Sequence, residues 1–205
     1  MAKRSNQMSP LAMAVLALLS EGAMHVYRMQ TLIKRRGKDS VVNVTQRNSL
    51  YQTIGRLLRA DLVRIRQTLQ DEGRPERVVY EITDDGQNTL TLWLKDMLAA
   101  PANEYPEFPA ALAHLPVLSR HDALRQLEQR IAALDRRLSD DRAQMRGFLA
   151  LKLPRLFLIE DEYRQTVMKA ELGWVKGLAE DLRNGVLDWN PKWLKKVAAE
   201  FEPQP

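Results

Sequence analysis

The stretch TQRNSLYQTIGRLLRADLVRIR, residues 45–66, decides how the chain is read. Leu50, Ile54, Leu57 and Leu58 recur at i, i+4, i+7 and i+8, the spacing of a single apolar stripe on a helix. At about 100° per residue, Thr45, Asn48, Gln52, Arg56 and Arg59 fall on the opposite face. That face carries two arginines, two amides and no acid. The period then changes. In Val63-Arg64-Ile65-Arg66 apolar and basic residues alternate, as in a half-buried strand, and Val78, Tyr80 and Ile82 alternate in a second. Between them, 70–76 contains Asp71, Gly73 and Pro75, a turn composition. The spacing predicts a helix over 45–60 and then a β-hairpin with a charged tip.

Toward the N-terminus, Ser9-Pro10 supplies an N-cap and a first helical residue for an almost wholly apolar helix that stops near Gly22. Lys3-Arg4 ahead of the run Leu11 to Leu19 imitates a signal peptide. Ser20-Glu21-Gly22 is not a small-x-small cleavage site, however, and the run is too short to span a membrane. The expectation is a cytoplasmic protein with no membrane partner. A second helix is expected over 25–36, with Tyr27, Met29, Leu32 and Ile33 facing inward and Gly37 ending it. Its last turn, Lys34-Arg35-Arg36, suits the negative end of the helix dipole and equally suits DNA. Beyond the hairpin, Thr83 caps a fourth helix running through Leu90, Leu94 and Met97 to Ala100.

Residues 101–118 hold prolines 101, 106, 109 and 116 and separate a domain at 1–100 from one at 119–205. The apolar FPAALAHLP within this connector has the composition of a short docked helix. Leu124, Leu127, Ile131, Leu134, Leu138, Met145 and Phe148 then follow alternating steps of three and four, with Asp141 breaking one position. That is about three and a half heptads, which serves either a dimer seam or a helix packed on its own domain. Pro154 interrupts, and a further helix reaches Asn184 with Leu156, Ile159, Tyr163, Val167, Ala170, Trp174, Leu178 and Leu182 inward. A short helix over 192–201 closes the chain. The whole reads as a mainly α protein whose C-terminal half is an antiparallel helical dimerisation domain.

Composition removes many alternatives. With no cysteine there is no disulfide, thiolate zinc site or cysteine nucleophile. The three histidines, His25, His114 and His121, do not stand at metal-ligand spacing, and the nine glycines never cluster into a phosphate-cradling loop. No Ser-His-Asp set is apparent, so no catalytic residues, metal or cofactor are assigned and the chain is read as a non-enzyme. Charge is uneven. Residues 25–77 carry 12 basic side chains against 5 acidic, whereas 101–205 balance at 16 against 16. A basic segment beside a neutral half favours a polyanion partner.

Three helices and a two-stranded hairpin, the third helix polar and basic on its free face, describe a winged helix-turn-helix. Such a helix fits the major groove of B-DNA, where Gln, Asn and Arg pair with base edges. The chain also resembles the PadR-type transcriptional regulators over almost its whole length. The resemblance is carried by LAMAVLALLSEGAMHVYRM, by Ser49-Leu50-Tyr51 with Ile54, Leu57 and Leu62, and by Tyr80-Glu81-Ile82-Thr83-Asp84-Asp85-Gly86. FPAALAHLPVLS, the 124–138 helix and Glu171-x-x-Trp174 resemble the longer subfamily shared with virulence-gene activators. Two positions depart from the family pattern, Asp61 and Val26 standing where glycine is usual. The resemblance implies a homodimer on a pseudo-palindromic double-stranded operator. It also implies sensing of a small aromatic acid of the phenolic type.

The candidate DNA-binding residues are Thr45, Asn48, Ser49, Tyr51, Gln52, Arg56, Arg74 and Arg77. Asn48, Gln52 and Arg56 are expected at base edges, and Arg74 and Arg77 at phosphates beside the wing tip. Thr45 serves equally as an N-cap, and Tyr51 divides between core packing and a phosphate-facing hydroxyl. The candidate dimerisation residues are Leu124, Leu127, Ile131, Leu134, Leu138 and Trp174. Trp93 and Trp174 belong either to core or interface or to an effector pocket, whose place the sequence does not give. Glu160-Asp161-Glu162 point in different helical directions and read as a solvated face. The leading expectation is a repressor released by the aromatic acid. The alternative is an effector-independent activator whose second domain serves dimerisation or a partner regulator.

Overall fold

The computed structural model describes residues 8–44, 47–70 and 77–201 and divides the chain into two compact units, Met1–Glu104 and Tyr105–Pro205. Unit 1 runs α1 (Pro10–Glu21), β1 (Met24–His25), α2 (Val26–Arg35), α3 (Arg47–Arg59), β2 (Val63–Leu69), β3 (Arg77–Ile82) and α4 (Asp84–Ala99). The sheet has three antiparallel strands in the order β1-β3-β2, where the sequence suggested two. Met24 and His25 lie opposite Tyr80 and Val79, and a two-residue strand leaves no alternation to read. His25 then becomes the N-cap of α2, its Nδ1 accepting from the Arg28 N–H at 3.1 Å. Ser9 caps α1 in the same way through Ala12 N–H, with Pro10 at the first helical position.

The unit 1 core joins α1, α2, α3 and the sheet. Leu16, Met29, Leu50, Ile54 and Leu57 are all but fully buried, each worth about 1.5–3 kcal/mol of apolar transfer. Val42 and Val44 bury the connection from α2 to α3, and Gln30 Nε2 donates to the Val44 carbonyl at 3.1 Å. Those contacts fix where α3 begins. Tyr27 corrects the expectation of an inward ring: it is 66% exposed, because the buried stripe of α2 is Val26, Met29 and Ile33, one residue out of phase with it.

The end of α3 is built as a left-handed cap. Asp61 N–H donates to Leu58 O and Leu62 N–H to Leu57 O, both at 3.0 Å, with Asp61 at φ 55°. That pairing satisfies two of the carbonyls left open at a helix end. Asp61 therefore does at strain what glycine does freely. Val26, the other departure from the family pattern, opens α2 without a positive φ. Thr83 ties the cap to α4: its Oγ1 donates to Asp61 O at 2.7 Å and accepts from Gly86 N–H at 3.0 Å. Gly86 has no room for a side chain, since a Cβ would lie 2.0 Å from the Leu62 carbonyl oxygen.

Unit 2 consists of α5 (Glu107–Ala113), α6 (Arg120–Ala150), α7 (Ile159–Asn184) and α8 (Pro191–Phe201). The pairs Glu128–Arg183, Asp135–Lys176 and Asp141–Arg164 descend in register, so α6 and α7 are antiparallel. α6 continues unbroken through Asp141, whose carboxylate pairs with Arg164 at 3.0 Å on the facing helix. Phe108 of α5 and Leu115 pack on the cluster of Ala123, Leu127, Val175, Ala179 and Leu182. The stretch expected as a connector over 101–118 thus contributes to unit 2.

The inward face of α7 also differs from expectation. Gln165, Met168, Leu172, Val175, Ala179 and Leu182 are buried against α6. Leu156 ahead of α7, and Ile159, Tyr163, Val167 and Trp174 along it, are instead 48–73% exposed. α7 therefore has two apolar stripes, and α6 takes the one of which the sequence reading had only Leu178 and Leu182. Among the described residues no helix is long and apolar enough to cross a membrane.

Candidate nucleic-acid interface

The packing of Leu50, Ile54 and Leu57 against the core turns the other side of α3 outward, and Asn48, Tyr51, Gln52 and Arg59 are exposed there. No residue of α3 is acidic. Ser49 is half-buried at the edge of this face. Arg56 is half-buried too, and its Nη2 donates to the hydroxyl of Thr53 at 3.3 Å. Thr53 is 2% exposed, a buried polar position the sequence reading passed over. Its only signal is its place one turn before Leu57, on the flank of the stripe. Arg59 stands nearer the middle of the exposed face than Arg56, although both belong to the basic side of the helix. Thr45 and Arg74 lie outside the described residues.

Beside this face runs a groove of about 870 Å³ reaching from Ser9 and Leu11 past Tyr51 and Gly55 to Arg59. On the other flank of Tyr51 a cleft of about 420 Å³ is lined by His25, Tyr27, Arg77 and Tyr80. Burial pushes the Tyr80 phenol up from its ordinary pKa, and the neighbouring Tyr51 adds to the effect. Tyr51 thus stands at the surface between groove and cleft, not in the core. Arg77 begins β3 at the rim of the cleft, at the base of the wing.

Several cations near this face are already engaged. Arg36 makes a two-pronged pair with Glu21, both oxygens at 2.6 Å. The guanidinium lowers the Glu21 pKa, and the carboxylate raises that of Arg36. Of the last turn of α2, Lys34 and Arg35 stay exposed, while Arg36 ties α2 to α1. Arg64 and Arg66 converge on Glu81 across the sheet at 2.7 and 3.8 Å. What remains outward around α3 is a set of donors, suited to the acceptor-rich edges and phosphates of a duplex. Among the described residues no group of three or more His, Asp and Glu is placed to hold a metal ion.

The expected dimerisation residues fare unevenly. Leu127 and Leu138 are buried, and Leu124, Ile131 and Leu134 half-buried, all in clusters made with α7 of the same chain. α7 covers Leu127 and Leu138, while Leu124, Ile131 and Leu134 keep part of their surface exposed. Trp174 is 54% exposed and meets Phe108 edge to face at 6.3 Å. Arg130 lies over the other side of this arrangement, its guanidinium 3.6 Å from the Phe108 centroid and paired with Glu171. Trp93 is buried in the unit 1 core.

Residues 15–92 match the family model described as transcriptional regulator PadR-like family. No curated protein matches the chain. Among solved structures, Bacillus subtilis PadR in complex with operator DNA aligns at TM-score 0.68 and 19% identity, over 84% of this chain and 98% of that one. The same protein in complex with p-coumaric acid aligns at 0.68 and 18%, over 85% and 99%. The Vibrio cholerae virulence activator AphA aligns at 0.66 and 19%, over 85% and 98%. These likenesses extend the shared fold through the helical second unit. The outward donor face of α3, the winged-helix fold and the family match converge: over residues 15–92 the chain carries a PadR-like transcriptional regulator domain.

Proposed function

We propose that the chain is a cytoplasmic, sequence-specific regulator that binds a pseudo-palindromic double-stranded operator as a homodimer. The observation that carries this reading is the acid-free outward face of α3, where Asn48, Gln52, Arg56 and Arg59 can reach base edges. Ser49, Tyr51 and Arg77, together with Thr45 and Arg74, would hold the DNA backbone. The second apolar stripe of α7, Ile159, Tyr163, Val167 and Trp174, supplies the surface for a second copy. Leu124, Leu127, Ile131, Leu134 and Leu138 then support that surface from behind by holding α7 in place.

The regulator is further read as a repressor released by a small aromatic acid, since Bacillus subtilis PadR, which shares its fold, has been solved with p-coumaric acid. The second reading, an activator that needs no such ligand, draws on the equal likeness to the virulence activator AphA. Titration against a fluorescent duplex from the region upstream of the coding sequence, at two salt concentrations, separates them. Tight binding that weakens steeply with salt and is released by a hydroxycinnamic acid supports the repressor. Tight binding indifferent to every acid supports the activator, and no preference over random DNA removes α3 from the reading role. Val167→Glu tests the dimer: light scattering should show monomers, and an unchanged dimer mass would move the interface off α7.

A further inference from the structure

α3 carries a glycine that its own fold does not ask for. Gly55 lies within the helix, and a Cβ there would meet nothing nearer than Arg59 Nη1 at 3.8 Å, an ordinary contact. It is not among the glycines with positive φ, which are Gly22, Gly37 and Gly185. A helical glycine without such a reason lowers helix stability relative to alanine through backbone entropy. The contrast with Gly86, where a Cβ would strike the Leu62 carbonyl, is complete. Packing among the described residues therefore accounts for Gly86 and not for Gly55, Gly147, Gly173 or Gly177; of these, Gly55 stands on the helix of the candidate interface.

Its surroundings supply a reason. Tyr51 stands one turn before it and Arg59 one turn after, with Gln52 and Arg56 alongside, and all of them line the same groove. Gly55 thus leaves a gap in the helix side of this groove, beside a phenol, an amide and two guanidiniums, with Ser9 and Leu11 across from them. A gap open to the level of the helix backbone beside these donors fits an acceptor-rich partner that must come very close. We propose that Gly55 is a specificity-determining position of the DNA-reading face. The missing side chain lets base edges approach the α3 backbone about 1.5 Å closer, one carbon–carbon bond. That depth brings Gln52 and Arg59 within reach of the groove floor. The inference rests on the DNA reading proposed above.

The test compares Gly55→Ala with Gly147→Ala, an exposed glycine of α6 that also has open space around it. Wild-type protein first selects a preferred sequence from a random duplex library. Both variants should melt higher, by about 2–4 °C. Gly55→Ala alone should lose at least about tenfold in affinity for the selected duplex, the scale of one base contact, with little change on a random duplex. Gly147→Ala should bind both as wild type does. Gly55→Ala that selects the same sequence with the same affinity overturns the inference and leaves the DNA reading standing. So does an equal loss in both variants, or an equal loss on selected and random duplexes. If wild-type protein selects no sequence at all, the DNA reading itself fails and this inference falls with it.

Discussion

In unit 1 the apolar stripes of α1, α2 and α3 and the inner face of the sheet meet in one cluster around Leu16, Met29 and Leu50. In unit 2, α7 buries Met168, Leu172 and Val175 against α6 while Tyr163, Val167 and Trp174, on the same helix, face outward. The first unit gathers its buried apolar residues into one core, and Leu92, Leu94 and Leu98 of α4 stay exposed outside it. The second adds to its apolar packing a series of polar pairs between α6 and α7, Arg130–Glu171, Asp135–Lys176, Glu128–Arg183 and the Arg164–Asp141–Asp161 group. Under the proposed function, the single-core head presents α3 to DNA, and the helical hairpin with a spare apolar stripe meets a second copy.

The sharpest way to break the first half of this comparison is Gly86→Ala. Its Cβ would meet backbone, the Leu62 carbonyl, rather than a side chain that can move. We expect a loss of about 3 kcal/mol, read by urea denaturation, confined to the transition of unit 1. A parallel loss in unit 2 would show that the units do not unfold separately. Arg164→Met strikes the second unit. It leaves Asp141 and Asp161, with side chains only 13% and 17% exposed, facing one another without their cation. The expected cost is about 2–4 kcal/mol, and less than 1 kcal/mol would mean that the carboxylates reach water unaided.

Asp61→Gly should act in the other direction. Asp61 holds φ 55° in the cap of α3, and glycine adopts that angle without strain. A gain of about 0.5–1 kcal/mol is expected, with a Tm that rises; a lower Tm would show that the aspartate makes a compensating contact. The smallest effect belongs to Glu21→Gln. Arg36 lowers the Glu21 pKa, so the pair contributes above the ordinary carboxylate range and its contribution is lost as pH falls through the lowered folded value. Both side chains are nearly half exposed, which limits the effect to under about 1 kcal/mol, weaker at high salt. The stability curves of variant and wild type should converge once pH has fallen below the lowered Glu21 value, and a gap that persists in stronger acid would point to packing rather than charge.

Legibility followed the same division. α3 was readable because one stripe is apolar, the opposite side is polar, and the change of period at Val63 marks its end. The cap of α4 at Thr83 and that of α1 at Ser9 were readable because each is a local side-chain choice. α7 was misread because apolar residues lie on two sides of it, and periodicity alone does not say which side meets α6. The partner is fixed by long-range pairs such as Asp141–Arg164, which no local window contains. β1 was invisible for the same reason, a strand made only by its pairing with β3. At the site, Asn48 and Gln52 are exposed where the helical wheel put them, and Tyr51, which the wheel left between core and surface, is exposed too. Arg56 did not stay wholly outward, because the buried Thr53 hydroxyl offers its guanidinium a partner.

The sheet order β1-β3-β2 places β2 along one edge, with Arg64 and Arg66 on it and a bulge between Ile65 and Gln67. Ile65 and Leu69 are both exposed on that strand. A straight edge with such residues invites a strand from another molecule. The bulge spoils the register such a strand would need, and the paired arginines add charge beside Ile65. The same arginines that hold Glu81 across the sheet thereby make this edge a poor template for a neighbour's strand.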